Sequence, residues 1–107
     1  MANPWAGEVA IILNGENRIA KLTLGALAEL EGELGTNTLF ELVERFESRQ
    51  FSTRDVVLLI VAGLRGGGWQ GTAEDLRTAE IGGGPMEAVR VAAELLTRAF
   101  VVPEAEA

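Results

Sequence analysis

The chain has no cysteine and no histidine. Without Cys there is no disulfide, no thiolate nucleophile and no cysteine zinc site. Without His the commonest general base and the commonest transition-metal ligand are gone. Ser52, Thr53 and Asp55 therefore cannot complete a Ser-His-Asp triad. Tyrosine is absent as well, and positive charge is scarce. Nine Lys and Arg against 16 Asp and Glu leave a net charge of −7. A phosphate backbone requires a basic footprint, so nucleic acid is excluded as a partner. The longest apolar run, Val56 to Leu64, is far below the ~20 residues of a membrane span. The opening MANPWAGE lacks the basic region and apolar core of a signal peptide. These absences lead us to expect a soluble, cytoplasmic protein with no membrane contact.

What is present describes a globular body. Apolar content is 48% of 107 residues, enough for one modest core. We expect residues 1–107 to form a single domain, with 1–6 and 102–107 as flexible ends. The opening EVAIIL-NGEN-RIAKLTL reads as a β-hairpin. Val9, Ile11 and Leu13 alternate with Glu8, Ala10 and Ile12, the period of a strand with one covered face. Asn14-Gly15 tolerates positive φ and marks the turn. Two registers compete. A two-residue turn sets Leu13 opposite Glu16 and Ile11 opposite Arg18. A four-residue loop, Asn14 to Asn17, sets Ile11 opposite Ala20 and Val9 opposite Leu22. The second gives one continuous apolar face of Val9, Ile11, Leu13, Ala20 and Leu22, and is preferred on that ground. An isolated hairpin is marginal in water, so this face must lie on helices. The opposite face, with Ile12, and the free strand edges remain open to another chain.

Five helical segments follow. Thr23 is the N-cap of the first, with Leu27, Leu30 and Leu34 at helical spacing and Gly35 as the stop. Thr38 to Glu41 is a capping box opening the second, whose apolar face is Leu39, Leu42, Val43 and Phe46. Ser52 with Asp55 opens the third. Its run Val56 to Ala62 is apolar on all sides, so it must be central, and Gly63 invites close approach of a neighbour. Thr72 to Asp75 opens a short fourth helix reaching about Glu80. Pro85 suits the first position of the last helix, where Met86, Val89, Ala93, Leu96 and Phe100 lie close to one face. The fold expected is α+β, mainly α: an N-terminal β-hairpin packed on about four to five helices.

No constellation carries catalytic chemistry. Glu29 and Glu33 share a helix face while Glu31 points away, which describes a solvated face better than a metal site. Gly66-Gly67-Gly68 and Gly82-Gly83-Gly84 lack the Lys and Ser/Thr that follow a phosphate-binding loop, and read as helix-breaking linkers that could also hinge. A helix-turn-helix over the third and fourth helices fails on charge, since Glu74, Asp75 and Glu80 oppose one Arg77. Trp5 and Trp69 are the large amphipathic aromatics. Trp69 beside Arg65 is a candidate partner contact, because aromatics and Arg are enriched at interfaces. With Ile12, these are the candidate partner-binding residues; no catalytic, cofactor or metal residue is assigned.

Several stretches taken together carry a resemblance. GEVAIILNGENRIAKLTLGALAELEGELG, LFELVERFE, FSTRDVVLLIVAGLRGGGW and AEIGGGP are similar to the small gene transfer agent tail protein family, grouped with phage tail assembly chaperones. The resemblance runs from Gly7 to about Phe100, with Trp5 and the acidic tail outside it. LTLGALAELE, AGLRGGGW and GGGP are specific in combination. Gene transfer agents are phage-like particles, and the resemblance implies a non-enzymatic role in building their tail, without a cofactor. It implies a chaperone that binds the tape-measure protein and helps recruit tail-tube protein, or alternatively a structural tail or tail-tube component retained in the particle. A homo-oligomer is compatible with either.

Overall fold

A computed structural model describes residues 6–35 and 38–100 of the chain. The expected flexible ends lie outside the described residues except for Ala6. The order is β1 (Glu8–Leu13), β2 (Glu16–Lys21), α1 (Leu24–Leu34), α2 (Leu39–Glu47), α3 (Thr53–Gly66), α4 (Ala73–Arg77) and α5 (Gly84–Phe100). The α+β architecture is as expected: an antiparallel two-stranded hairpin followed by five helices.

The hairpin takes the register that was not preferred. Leu13 pairs with Glu16, Ile11 with Arg18 and Val9 with Ala20. The turn decides this. Asn14 (φ 52°) and Gly15 (φ 81°) both sit at positive φ, as the two-residue turn that matches strand twist requires. The turn is also pinned from outside: Asn14 N–H donates to Glu80 O at 2.7 Å, and Glu80 N–H donates to Asn14 Oδ1 at 2.8 Å. Val9, Ile11, Leu13 and Ala20 are buried as expected. Leu22 lies past the end of β2, half-buried against the core. Arg18 instead occupies the covered face opposite Ile11, reaching Glu16 at 3.2 Å.

Neither strand edge is as open as the sequence suggested. The two-residue turn makes Leu13 and Glu16 a hydrogen-bonded pair, so Ala10 and Ile12 point their N–H and C=O groups outward, as do Ile19 and Lys21. On β1, Ile12 O accepts from Gly82 N–H at 2.9 Å, Leu13 bridges to Ile81, and Glu8 O accepts from the Arg98 guanidinium. On β2, the carbonyls of Ile19 and Lys21 abut the end of α3. A β-carbon built on Gly66 would stand 2.0 Å from Lys21 O, and one on Gly67 2.0 Å from Ile19 O. These glycines leave the site of a side chain to a carbonyl, an approach that allows Cα–H···O contact. They are packing positions rather than hinges.

The caps read from the sequence are all formed. Thr23 Oγ1 accepts from Ala26 N–H, and capping boxes close at Thr38–Glu41, Ser52–Asp55 and Thr72–Asp75. Helix α3 is central: it touches β2, α1, α4 and α5, and Leu59, Ile60 and Leu64 are essentially solvent-free. Gly63 lets α5 and β2 close on it, since a β-carbon there would stand 2.7 Å from Leu95 Cδ1 and 3.2 Å from Ala20 Cβ.

Two helical expectations need correction. Helix α4 ends at Arg77 rather than near Glu80, because Glu80–Gly82 is drawn off to pair with β1. The buried stripe of α5 is Ala88, Val91, Ala92, Leu95 and Leu96, which shares only Leu96 with the expected row of Met86, Val89, Ala93, Leu96 and Phe100. Small Ala side chains let the backbone approach α3 and β1, and the stripe follows the i, i+3, i+4, i+7, i+8 pattern. Met86 (77% exposed) and Phe100 (48%) face outward, while Val89 and Ala93 are half-buried.

The glycine contacts can be tested by adding a single methyl. Gly66→Ala should cost about 3 kcal/mol of stability in urea denaturation, because the methyl meets a backbone carbonyl that cannot rotate away. Gly32→Ala on α1 meets nothing within 4 Å and should instead gain about 0.5–1 kcal/mol by restricting the unfolded chain.

Candidate interaction surfaces

The end of α3 brings two of the three candidate contact residues together. Arg65 points across to α1, where its Nε donates to Glu29 Oε1 at 3.0 Å and its Nη2 to Glu29 Oε2 at 3.4 Å. Its Nη1 donates to Gly71 O at 3.1 Å. The hydrogen bond from Arg65, reinforced by its charge, holds the Glu29 carboxyl below the usual range. Trp69 follows the helix end, its N–H donating to Leu64 O at 2.9 Å. Its ring lies on Gly71, where a β-carbon would stand 2.1 Å from Cζ2. Arg65 and Trp69 line one shallow cleft with Thr23, Ala26 and Glu29. Arg65 thus ties α1 to the loop before α4, and Trp69 is half-buried against the core. Ile12 stands apart on the outer face of β1, 45% exposed. Its Cβ would lie 2.8 Å from a β-carbon on Gly82. Trp5 lies outside the described residues.

Two apolar recesses were not foreseen. The first, about 400 Å³, lies between α3, α4 and α5 and is lined by Phe51, Val57, Ile60, Leu76, Pro85 and Val89 among others. The second, about 310 Å³, lies between α2 and α5 and is lined by Val43, Phe46, Ala93, Leu96 and Phe100 with two polar residues. Each joins helices distant in sequence, so no local pattern announces it. The exposed large apolar residues include Leu24, Phe40 and Met86; the spacing of Phe40, two residues before buried Leu42, places it on the outer face of α2.

The strongest electrostatic feature was also missed. Asp55, 5% exposed, was read as a helix-capping residue only. It does close the Ser52 capping box, accepting from Ser52 N–H at 2.9 Å. It also accepts two bonds from Arg45 of α2, Nε–Oδ2 at 3.0 Å and Nη2–Oδ1 at 2.9 Å. Burial pushes the Asp55 carboxyl up, but the Arg45 hydrogen bond, the Ser52 N–H and the guanidinium charge outweigh it, and the net shift is downward. Phe46 and Phe51, stacked at 4.5 Å, lie at the α2–α3 connection beside this pair. An Arg in the last turn of one helix and an Asp in the first turn of the next was the available signal, and only the chain reversal between them makes it a contact.

Among the described residues, no three His, Cys, Asp or Glu side chains are grouped to hold a metal ion. Glu29 is engaged with Arg65, and Glu33 contributes its backbone carbonyl to Arg54 at 3.1 Å. No described helix is long and apolar enough to cross a membrane. What the surface offers is apolar recesses and exposed apolar side chains, the elements of protein–protein contact.

The family model described as phage tail tube protein, GTA-gp10, matches residues 6–101. No curated protein and no solved structure matches the chain.

The Arg45–Asp55 pair has a definite acid signature. Because the folded carboxyl titrates below its ordinary 3.8, its contribution is intact above that value and fades as pH falls through the lowered one. Stability to urea should therefore drop below about pH 4 in the natural chain, and Asp55→Asn should flatten that part of the slope. Asp55→Ala, which leaves Arg45 without its carboxylate and opens the capping box, should cost about 3 kcal/mol at neutral pH.

Proposed function

The chain belongs to the gene transfer agent family of phage tail tube proteins described as GTA-gp10, and on that premise we propose that it is a structural tail component retained in the finished particle. The family match over residues 6–101 carries this reading. It favours the alternative drawn from the sequence over the chaperone reading. On this proposal the protein acts without catalysing a reaction and is made in the cytoplasm, and its partners are tail-tube subunits, including further copies of itself. The surface chemistry supports it. Backbone pairing along the hairpin edges is interrupted within the chain, at the Ile12 and Glu8 carbonyls of β1 and by the end of α3 against β2, which leaves subunit contacts to side chains: the apolar recesses, Ile12, and the rim of Arg65 and Trp69.

A second reading, a tail assembly chaperone for the tape-measure protein, draws on one observation. The groove between α2 and α5 has the apolar lining that an amphipathic helix seeks. On that reading the protein would hold apolar helices of the tape measure in solution and leave before completion.

Quantitative mass spectrometry of purified particles separates the two. A retained tail component should be present in many copies per particle, in constant ratio to the other tail proteins. Particles that transfer DNA while lacking the protein would overturn the structural reading. Co-purification with the tape-measure protein from assembling cells, with none in particles, would establish the chaperone.

A further inference from the structure

The chain carries both a knob and a hole. Phe40 stands on α2 with 71% of its surface in solvent, while Leu42, two residues on, is fully buried and fixes that helix to the body. The hole is the recess between α3, α4 and α5, about 400 Å³, with Phe51, Val57, Ile60, Leu76, Pro85 and Val89 in its walls. An exposed aromatic side chain and an apolar recess elsewhere on one surface are complementary without being the same patch. Such a pair joins copies head to tail, and a head-to-tail contact propagates into a ring or a filament.

Charge supports the same pairing. Phe40 has Glu44 one turn on along the same helix face, while the Glu41 carboxylate turns back to cap Thr38 N–H. The rim of the recess includes Arg77 and the starts of two helices, Thr53 as the first residue of α3 and Pro85 as the second of α5. Helix N-termini carry partial positive charge. Arg77 reaches Glu74 only at 3.6 Å, with both side chains more than half exposed, so it is available to an incoming carboxylate. We propose that Phe40 of one copy seats in the α3/α4/α5 recess of the next, with Glu44 facing Arg77 at its rim. This rests on the tail-component reading and specifies how its copies would join. The contact has a central aromatic anchor within a polar surround, the arrangement in which one side chain dominates binding.

The absence of cysteine makes the contact directly testable. Glu44→Cys and Arg77→Cys, which leave Phe40 and the walls of the recess in place, are prepared separately as full chains, mixed and oxidised gently. The mixed disulfide should form roughly ten-fold faster than between Glu44→Cys and an exposed control, Glu31→Cys, because docking raises the effective concentration. A chain carrying both Glu44→Cys and Arg77→Cys should form a ladder of disulfide-linked multimers. Phe40→Asp, at an exposed position, should keep the natural circular dichroism, lower the average mass in sedimentation and, added to either cysteine variant, abolish the faster cross-linking. Equal cross-linking to the control, preferential Glu44→Cys homodimers, or cross-linked material without multimers would overturn the proposal. Particle composition is an independent readout. Cross-linking by a protein absent from particles keeps the contact and removes the tail role. Presence in particles without cross-linking removes the contact alone.

Discussion

The approach of α3 to the hairpin sets the positions of the other elements. Gly63, Gly66 and Gly67 lie where the helix meets Ala20, Lys21 and Ile19, and at the last two a strand carbonyl fills the place of a side chain. With β2 held that close, the covered face of the hairpin is completed by α3 and α5 together. Helix α5 then lies against both β1 and α3 through its small-residue stripe, and α1 and α4 take the remaining flanks of α3. A side chain at Gly66 or Gly67 would push the hairpin away and open the core along its length. Runs of glycine at the end of a helix are usually read as flexibility. Here two of them are sites of close packing, with no room for a side chain.

Helix α2 is attached differently. Its hold combines one fully buried leucine, partly buried Leu39, Val43 and Phe46, and the bidentate bridge from Arg45 to Asp55. Asp55 serves two masters: it caps α3 and anchors α2. Each use satisfies oxygens that burial would otherwise leave costly. A helix that exposes Glu41, Glu44 and Glu47 is thus fastened to the body by a charge pair.

Local features of the fold were legible in the sequence, and features made by distant segments were not. Thr23, Thr38, Ser52 and Thr72 were identifiable as caps because capping depends on residues three apart. The central place of α3 followed from a run apolar on every side. The hairpin register was misjudged because apolar pairing was weighed above the turn, whereas two positive-φ residues at Asn14-Gly15 fix the pairing alone. The stripe of α5 was misplaced because Met86 and Phe100 were counted by size, while Ala88 and Ala92 do the packing. Of the candidate contact residues, Arg65 and Trp69 were grouped correctly by sequence proximity, and Ile12 was placed on the outer face by strand alternation. The recesses and the Arg45–Asp55 bridge depend on chain reversals that no local pattern encodes.

The strap formed by Glu80–Gly82 across the edge of β1 has a bearing on how the chain behaves in a crowded solution. An uncovered strand is a template, and any extended segment can add to it without regard for sequence. With the Ile12 carbonyl engaged by Gly82 and that of Glu8 by Arg98, such addition is interrupted at both ends of the strand. Edge-to-edge addition of one copy to another along β1 is thereby disfavoured, and recognition is left to side-chain shape and charge, which distinguish one partner from another as backbone pairing cannot.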